Sequence, residues 1–147
     1  MPTLLDRERI VAGPGFNRWK VPPAALAIHL CIGMAYGFSV FWLPLSRALG
    51  VTTLRTCPDL TLTSALVTTT CDWRVSDLGW IYTLFFVLLG SSAAVWGGWV
   101  ERAGPRKAGV VSAICWCGGI VVAAIGIVVH QLWLMWMGAG VIGGIGL

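Results

Sequence analysis

Charge is what this sequence has least of. Lys, Arg, Asp and Glu together make up 11% of its 147 residues, against about 25% in soluble domains. A soluble fold of this length could not cover its surface with so few, so part of its solvent must be lipid. Acids are scarcest: there are six Asp and Glu, and all lie outside the cores of the apolar runs. That leaves no acid–base pair within those runs from which a catalytic set could be built. No phosphate-binding loop is present either, so neither an enzymatic activity nor a cofactor is expected. The ten Lys and Arg give a net charge of +4. They sit in short links between apolar runs, which sets a nucleic-acid partner aside and leaves the lipid bilayer as the expected one.

What is abundant is apolar chain. Hydrophobic residues make up 57% of the sequence, with nine Trp and nineteen Gly, two residue types that collect at membrane interfaces and in spanning helices respectively. Four apolar runs occupy residues 21–50, 78–100, 108–129 and 132–147. Crossing the hydrocarbon takes about 20 residues at about 1.5 Å each, and the first three runs are long enough. The fourth reaches only about 24 Å at that rise and is read as a truncated fourth helix, so the chain is expected to be the N-terminal part of a longer membrane protein. The expected fold class is therefore all-α transmembrane.

The first run is too long for a signal-peptide apolar core of about 7–15 residues. The polar leader 1–20 reads as a tail, and Pro22 and Pro23 stand at the first turn of the helix, where a missing N–H costs little. Orientation follows the basic residues of the short links. Arg7, Arg9, Arg18 and Lys20 in the leader and Arg102, Arg106 and Lys107 in the link 101–107 outnumber Arg47, Arg55 and Arg74 around the link 51–77. The leader and 101–107 are thus expected in the cytoplasm and 51–77 outside, in a multi-pass protein of the cell (inner) membrane. Trp19, Trp73 and Trp80 fall near run ends, as interface anchors would.

The external link holds Cys57 and Cys71. A bridge between them would close a loop of about fifteen residues, worth roughly 3 kcal/mol in the chain-entropy model; two free thiols in a mobile loop is the other reading, and both stay open. Cys115-Trp116-Cys117 does not read as a metal site, because helix neighbours one or two apart face different ways and no His or carboxylate joins them. Gly90, Ala94 and Gly98, and again Gly140 and Gly144, recur at four-residue spacing, which lets helix backbones approach closely in lipid. Residues 138–143, GAGVIG, match a dinucleotide-binding pattern, but that pattern has meaning only between a strand and a helix and here it lies inside an apolar run.

The densest charge lies in GGWVERAGPRK, residues 97–107. The positive-inside rule accounts for Arg102, Arg106 and Lys107 but not for Glu101. Gly97, Glu101, Arg102, Gly104, Arg106 and Lys107 together resemble the link between helices two and three of the major facilitator superfamily, in outline G-x-L-x-D-R-x-G-R-K. The segment NRWKVPPAALAIHLCIGMAYGFSVFWLPLSRALG at 17–50, AGPRK at 103–107 and GAGVIGGIGL at 138–147 resemble the oxalate/formate antiporter family within it. The external link shares no such likeness.

The resemblance implies the first four helices of a twelve-helix fold, with the N-terminus cytoplasmic, and a secondary transporter of small organic anions such as oxalate, formate or other carboxylates. It implies a cytoplasmic gating loop in which Glu101, Arg102 and Arg106 form a charge relay with the remaining helices, while Gly97 and Gly104 give close approach and a tight turn. Glu101 stands where the family has Asp, and Pro105 occupies a usual basic position. For the substrate cavity, Tyr36 fits a lining aromatic of the family. His29 is an ionisable group inside the first run, expensive in lipid and so a functional candidate; the plainer reading is a neutral imidazole hydrogen-bonded between helices. Ser39 and Trp42 complete the cavity candidates, and Ser91 and Ser92 read as packing residues. The alternative function is a small four-span membrane protein, either claudin-like and structural, with a disulfide in its first outer loop, or a dimeric small multidrug exporter. The exporter would need a membrane-embedded acid, and the runs contain none.

Overall fold

The structure, a computed structural model, describes residues 5–6, 11–49, 57 and 61–147. Arg7, Arg9 and Arg55 lie outside the described residues, as does most of 51–60. Among the described residues every regular element is helical.

α1 (Val21–Gly37) begins with Pro at its first turn and continues as a 3-10 segment, Phe38–Phe41, into the short α2 (Trp42–Leu45). The tightening has a covalent cause. Pro44 has no N–H to offer the carbonyl four residues back and its ring crowds that turn. The first apolar run is thus one rod with a changed pitch in its last third. After α3 (Leu62–Ala65), a single turn capped by Thr61, comes α4 (Val75–Ala103), whose 29 residues span roughly 44 Å at about 1.5 Å per residue. α4 exceeds the expected 78–100 at both ends. At its start, Arg74 is the N-cap and Asp77 lies in the first turn, with Arg74 Nε 3.6 Å from Asp77 Oδ2; an acid there meets the positive end of the helix dipole. At its end the charged residues Glu101 and Arg102 remain helical. α5 (Pro105–Val128) follows after a single residue, Gly104.

The fourth run is one rod of three pieces: α6 (Leu132–Met135), a π-helical segment Trp136–Ile142, and α7 (Gly143–Gly146). GAGVIG lies within and just after the π segment, in helical backbone. This rod fits between α4 and α5, and glycine makes the fit. A Cβ on Gly119 of α5 would stand 2.5 Å from the Gly138 carbonyl oxygen, and one on Gly144 would stand 2.7 Å from the Phe85 carbonyl oxygen of α4. Gly140 lies against Leu84 and Ile81 of α4 in the same way. The other small-residue row behaves differently. Gly90, Ala94 and Gly98 are exposed, a Cβ on Gly90 meets nothing within 4 Å, and one on Gly98 meets only the side chain of Arg102 at 3.9 Å.

Among the described residues three helices are long and apolar enough to cross a membrane: the composite first rod over Arg18–Leu45, then α4 and α5; the fourth rod is shorter. The first rod is the least packed, with 6% of its apolar window buried against 17% for each of the others. Tightly packed side chains gather instead near the disulfide-bearing end, where Ala65, Trp73, Leu78, Ile81, Leu132 and Met135 form the buried cluster.

Candidate functional site

At one end of the molecule the chain reverses on Gly104. Its φ of +87° and ψ of 158° fall in a region open essentially to Gly alone. Its N–H donates to the Val100 carbonyl at 2.9 Å, closing α4, and Pro105 opens α5 with the φ a first helical residue needs. The expected seven-residue loop 101–107 is therefore a one-residue hinge. Glu101 and Arg102 belong to the last turn of α4, and Arg106 and Lys107 to the first turn of α5.

Most of these charges sit at the wrong helix ends. A helix C-terminus favours cations and an N-terminus favours anions, by about 0.3–1 kcal/mol each at exposed sites. Arg102 obeys this rule and its guanidinium lies back along α4 toward Gly98. Glu101, Arg106 and Lys107 contradict it, so local helix stability does not explain them. Lys107 is answered by Asp6 of the leader, whose Oδ1 accepts from Nζ at 2.7 Å. Glu101 is exposed and has no ion pair among the described residues. Gly97, half-buried one turn back, lines a groove of about 650 Å³ with Trp96, Val100, Gly109, Ser112 and Ile145; Ser112 Oγ bonds the Gly146 carbonyl there.

The cavity candidates on the first rod do not converge. His29 is exposed, and its Nδ1 lies 3.0 Å from the Ala25 carbonyl of its own helix, so its partner is not a neighbouring helix. Ser39 is exposed in the 3-10 segment. The Tyr36 ring, 57% exposed, packs at 6.1 Å from that of Phe86. Trp42 is half-buried, edge-on to Tyr82 at 5.3 Å, and its buried Nε1 has no hydrogen-bond partner among the described residues.

The phenol that does lie between helices is Tyr82. Its hydroxyl donates to the carbonyls of Ala35 at 2.5 Å and Tyr36 at 3.0 Å, tying α4 to α1 just before the pitch changes. The small cavity beside it, about 80 Å³, is lined by Ala35, Phe38, Phe85, Trp116 and Ala139 among others. An apolar lining around one committed hydroxyl has no charge with which to bind an anion. Ser91 and Ser92 bond the carbonyls of Leu88 and Leu89 in their own helix. Cys115 and Cys117 are free thiols on α5, and the described residues contain no group of three metal ligands.

The best-formed polar cluster lies at the opposite end. Cys57 and Cys71 are joined by a disulfide, with their Cα atoms 6.0 Å apart. Trp73 stacks on His130 with ring centroids 4.1 Å apart and planes within 3°. It is 2% exposed, so it is a core residue rather than an interface anchor. His130 turns the chain between α5 and α6 with φ +51°, the left-handed region in which His is enriched among non-glycine residues, and its Nε2 bonds the Cys71 carbonyl at 2.9 Å. Trp133 N donates to the Leu66 carbonyl at 3.3 Å and Gln131 Nε2 to that of Val67 at 3.5 Å. Leu49 N donates to Asp72 Oδ1 at 2.8 Å, bringing in the end of the first rod. The described part of the link after the first rod is thus a cap docked on the α5–α6 turn. The sequence carried one faint sign of it: His130-Gln131, a polar pair without charge between two apolar runs. No protein-family model, no curated protein and no solved structure matches the chain.

Proposed function

We propose that the protein is a secondary transporter of small organic anions, of the major facilitator type and closest in character to the oxalate/formate antiporters, working by alternating access in the cell membrane. The four rods then correspond to the first four helices of that fold. The observation that carries this reading is the Gly104 hinge with its charges. An acid at the C-terminal end of α4 and cations at the N-terminal end of α5 cost local stability. That placement makes sense where another element completes the charge pattern in one conformation and leaves it in another. Three helices of spanning length supply the membrane setting, and the resemblance of 97–107 supplies the gating role. The fixed positive charge that would hold a carboxylate at mid-membrane would come from helices beyond these four.

The test is exchange of labelled oxalate, formate and a panel of mono- and dicarboxylates by the full-length protein in proteoliposomes, wild type beside Glu101→Gln. Loss of one charge-assisted contact of about 1.5–3 kcal/mol is expected to shift the inward–outward balance roughly tenfold or more, with surface expression unchanged. Unaltered exchange in Glu101→Gln removes the gating role. The Cys57–Cys71 bridge favours a second reading, a structural four-span protein, and failure of a folded, inserted protein to move any carboxylate selects it.

A further inference from the structure

The groove of about 650 Å³ runs from the hinge between α4 and α5, with Ile145 and Gly146 of α7 as its floor. Its α4 wall extends from Leu89 to Val100, a rise of about 16 Å. One leaflet is about 15 Å deep, half of a hydrocarbon core of about 30 Å, so a groove that starts at the hinge ends near mid-membrane. Its interior is hydrocarbon in character. Among the described residues Ser92 and Ser112 are the hydroxyls that line it, and both are committed to main-chain carbonyls, those of Leu89 and Gly146. A carboxylate entering it would lose its hydration without finding a free hydroxyl, whereas an acyl chain needs no donor. Trp96 and Trp99, both exposed, stand on the α4 wall near the hinge with their rings 6.3 Å apart, the depth at which indoles meet headgroups.

The mouth of the groove is cationic. The Arg102 guanidinium lies back against Gly98, beside the lining residues Gly97 and Trp99, and Lys107, paired with Asp6, directly precedes Ala108 of the α5 wall. The first rod brings further cations to this level. It runs antiparallel to α4, since Tyr36 meets Phe86 and Trp42 meets Tyr82, so Arg18 and Lys20 at its start stand level with the hinge. Among the described residues Arg18, Lys20, Arg102, Arg106 and Lys107 thus outnumber the acids of this end, Asp6 and Glu101. We propose that the groove binds an anionic glycerophospholipid of the leaflet at the hinge end: one acyl chain fills it, and the phosphate sits at its mouth beside Arg102. Basic residues at this depth attract anionic headgroups, and a guanidinium meets a phosphate with two parallel N–H donors. A zwitterionic headgroup carries its own cation and gains less from the same excess of charge. A helix packed along its length would call for a groove as deep as the whole hydrocarbon core, about 30 Å, and this one is about half that.

The lipid site rests on the membrane setting and not on transport, and its test reads no transport. The full-length protein in a non-ionic detergent is titrated with dioleoyl phosphatidylglycerol or dioleoyl phosphatidylcholine and followed by native mass spectrometry. One phosphatidylglycerol is expected to bind, about tenfold more tightly than phosphatidylcholine. Arg102→Gln is expected to weaken phosphatidylglycerol about tenfold, the loss of one charge-assisted contact, and so to bring the two lipids level. Gly109 lines the groove and a Cβ there meets nothing within 4 Å, so Gly109→Leu fills the acyl path with every charge in place and is expected to weaken both lipids. Gly90→Leu, equally open but off the groove, is expected to change neither. Should Gly109→Leu not fold, Ala93→Leu fills the same groove from α4. Equal affinity for the two lipids in wild type overturns the anionic site, and unchanged affinity in the folded groove-filling variant overturns its place in the groove. A dimer that retains no lipid puts a second copy there, and a lipid-free monomer puts another segment of the chain there; either result overturns the proposal. Phosphatidylglycerol bound as described by a protein that moves no carboxylate rejects the transporter and leaves the lipid site standing.

Discussion

His130 shows how one side chain can hold a turn that its own backbone resists. The left-handed conformation at φ +51° costs an L-residue about 1–2 kcal/mol, and the structure returns this through the stack on Trp73 and the bond to the Cys71 carbonyl. Two substitutions separate those contributions. His130→Ala loses the stack, about 0.5–1.5 kcal/mol, and a hydrogen bond of about 1 kcal/mol, and keeps the strain. His130→Gly loses the same contacts and relieves the strain. In detergent unfolding, wild type is expected to be the most stable, then His130→Gly, with His130→Ala lower by about a further 1 kcal/mol. His130→Ala equal to or above His130→Gly would show that the backbone strain carries no weight. None of this was legible from the residue alone. Its partners lie 57 and 59 positions away, at Trp73 and Cys71, and bind through a ring face and a main-chain carbonyl, neither of which leaves a periodic trace in sequence.

Helices were legible where hydrophobicity alone builds them, and less so where polar residues extend them. The apolar runs located α4 and α5 to within three residues at each end, and the largest errors have one cause: Val75–Asp77, Glu101–Ala103 and Pro105–Lys107 are helical because of capping and continuity, not hydropathy. The pitch change in the first rod follows from Pro44; the π segment at Trp136–Ile142, which packs against both α4 and α5, has no such residue to announce it. Small-residue spacing alone could not tell a packed row from an exposed one, since both look alike in sequence. The structure separates them, and the separation is measurable. Gly119→Ala places a Cβ 2.5 Å from the Gly138 carbonyl and 2.9 Å from Gly143 N, with rigid backbone on both sides, and is expected to destabilise by about 1–3 kcal/mol. Gly90→Ala meets nothing within 4 Å and is expected to gain up to about 1 kcal/mol from helix propensity. Thermal unfolding of the two variants in the same micelle should move in opposite directions; a loss in Gly90→Ala equal to that in Gly119→Ala would mean that the row at Gly90 is buried as well.

At the scale of the molecule the two ends are built for different work, and this rests on which end faces the cytoplasm. One end carries a disulfide within the cap and, among the described residues, hydrogen bonds from the cap to Leu49, His130, Gln131 and Trp133. The other reverses on one glycine, carries Glu101, Arg102, Arg106 and Lys107, and opens into a groove of about 650 Å³. A disulfide persists on an oxidising side, and basic links remain on the cytoplasmic side; the proposed orientation, cap outside and hinge in the cytoplasm, satisfies both. Single cysteines read it directly, in a background with the free thiols Cys31, Cys115 and Cys117 replaced by Ala. A thiol at Glu101, exposed at the end of α4, is expected to react with an impermeant maleimide only in inside-out vesicles. A thiol at Thr69, exposed on the cap, is expected to react only on intact cells. The reverse pattern would put the charged hinge outside, where neither the positive-inside rule nor a cytoplasmic gate applies, and the transporter reading would fall with it. Labelling of both positions from one side would require an odd number of crossings between Thr69 and Glu101 to be wrong, and so would deny that α4 spans the bilayer at all.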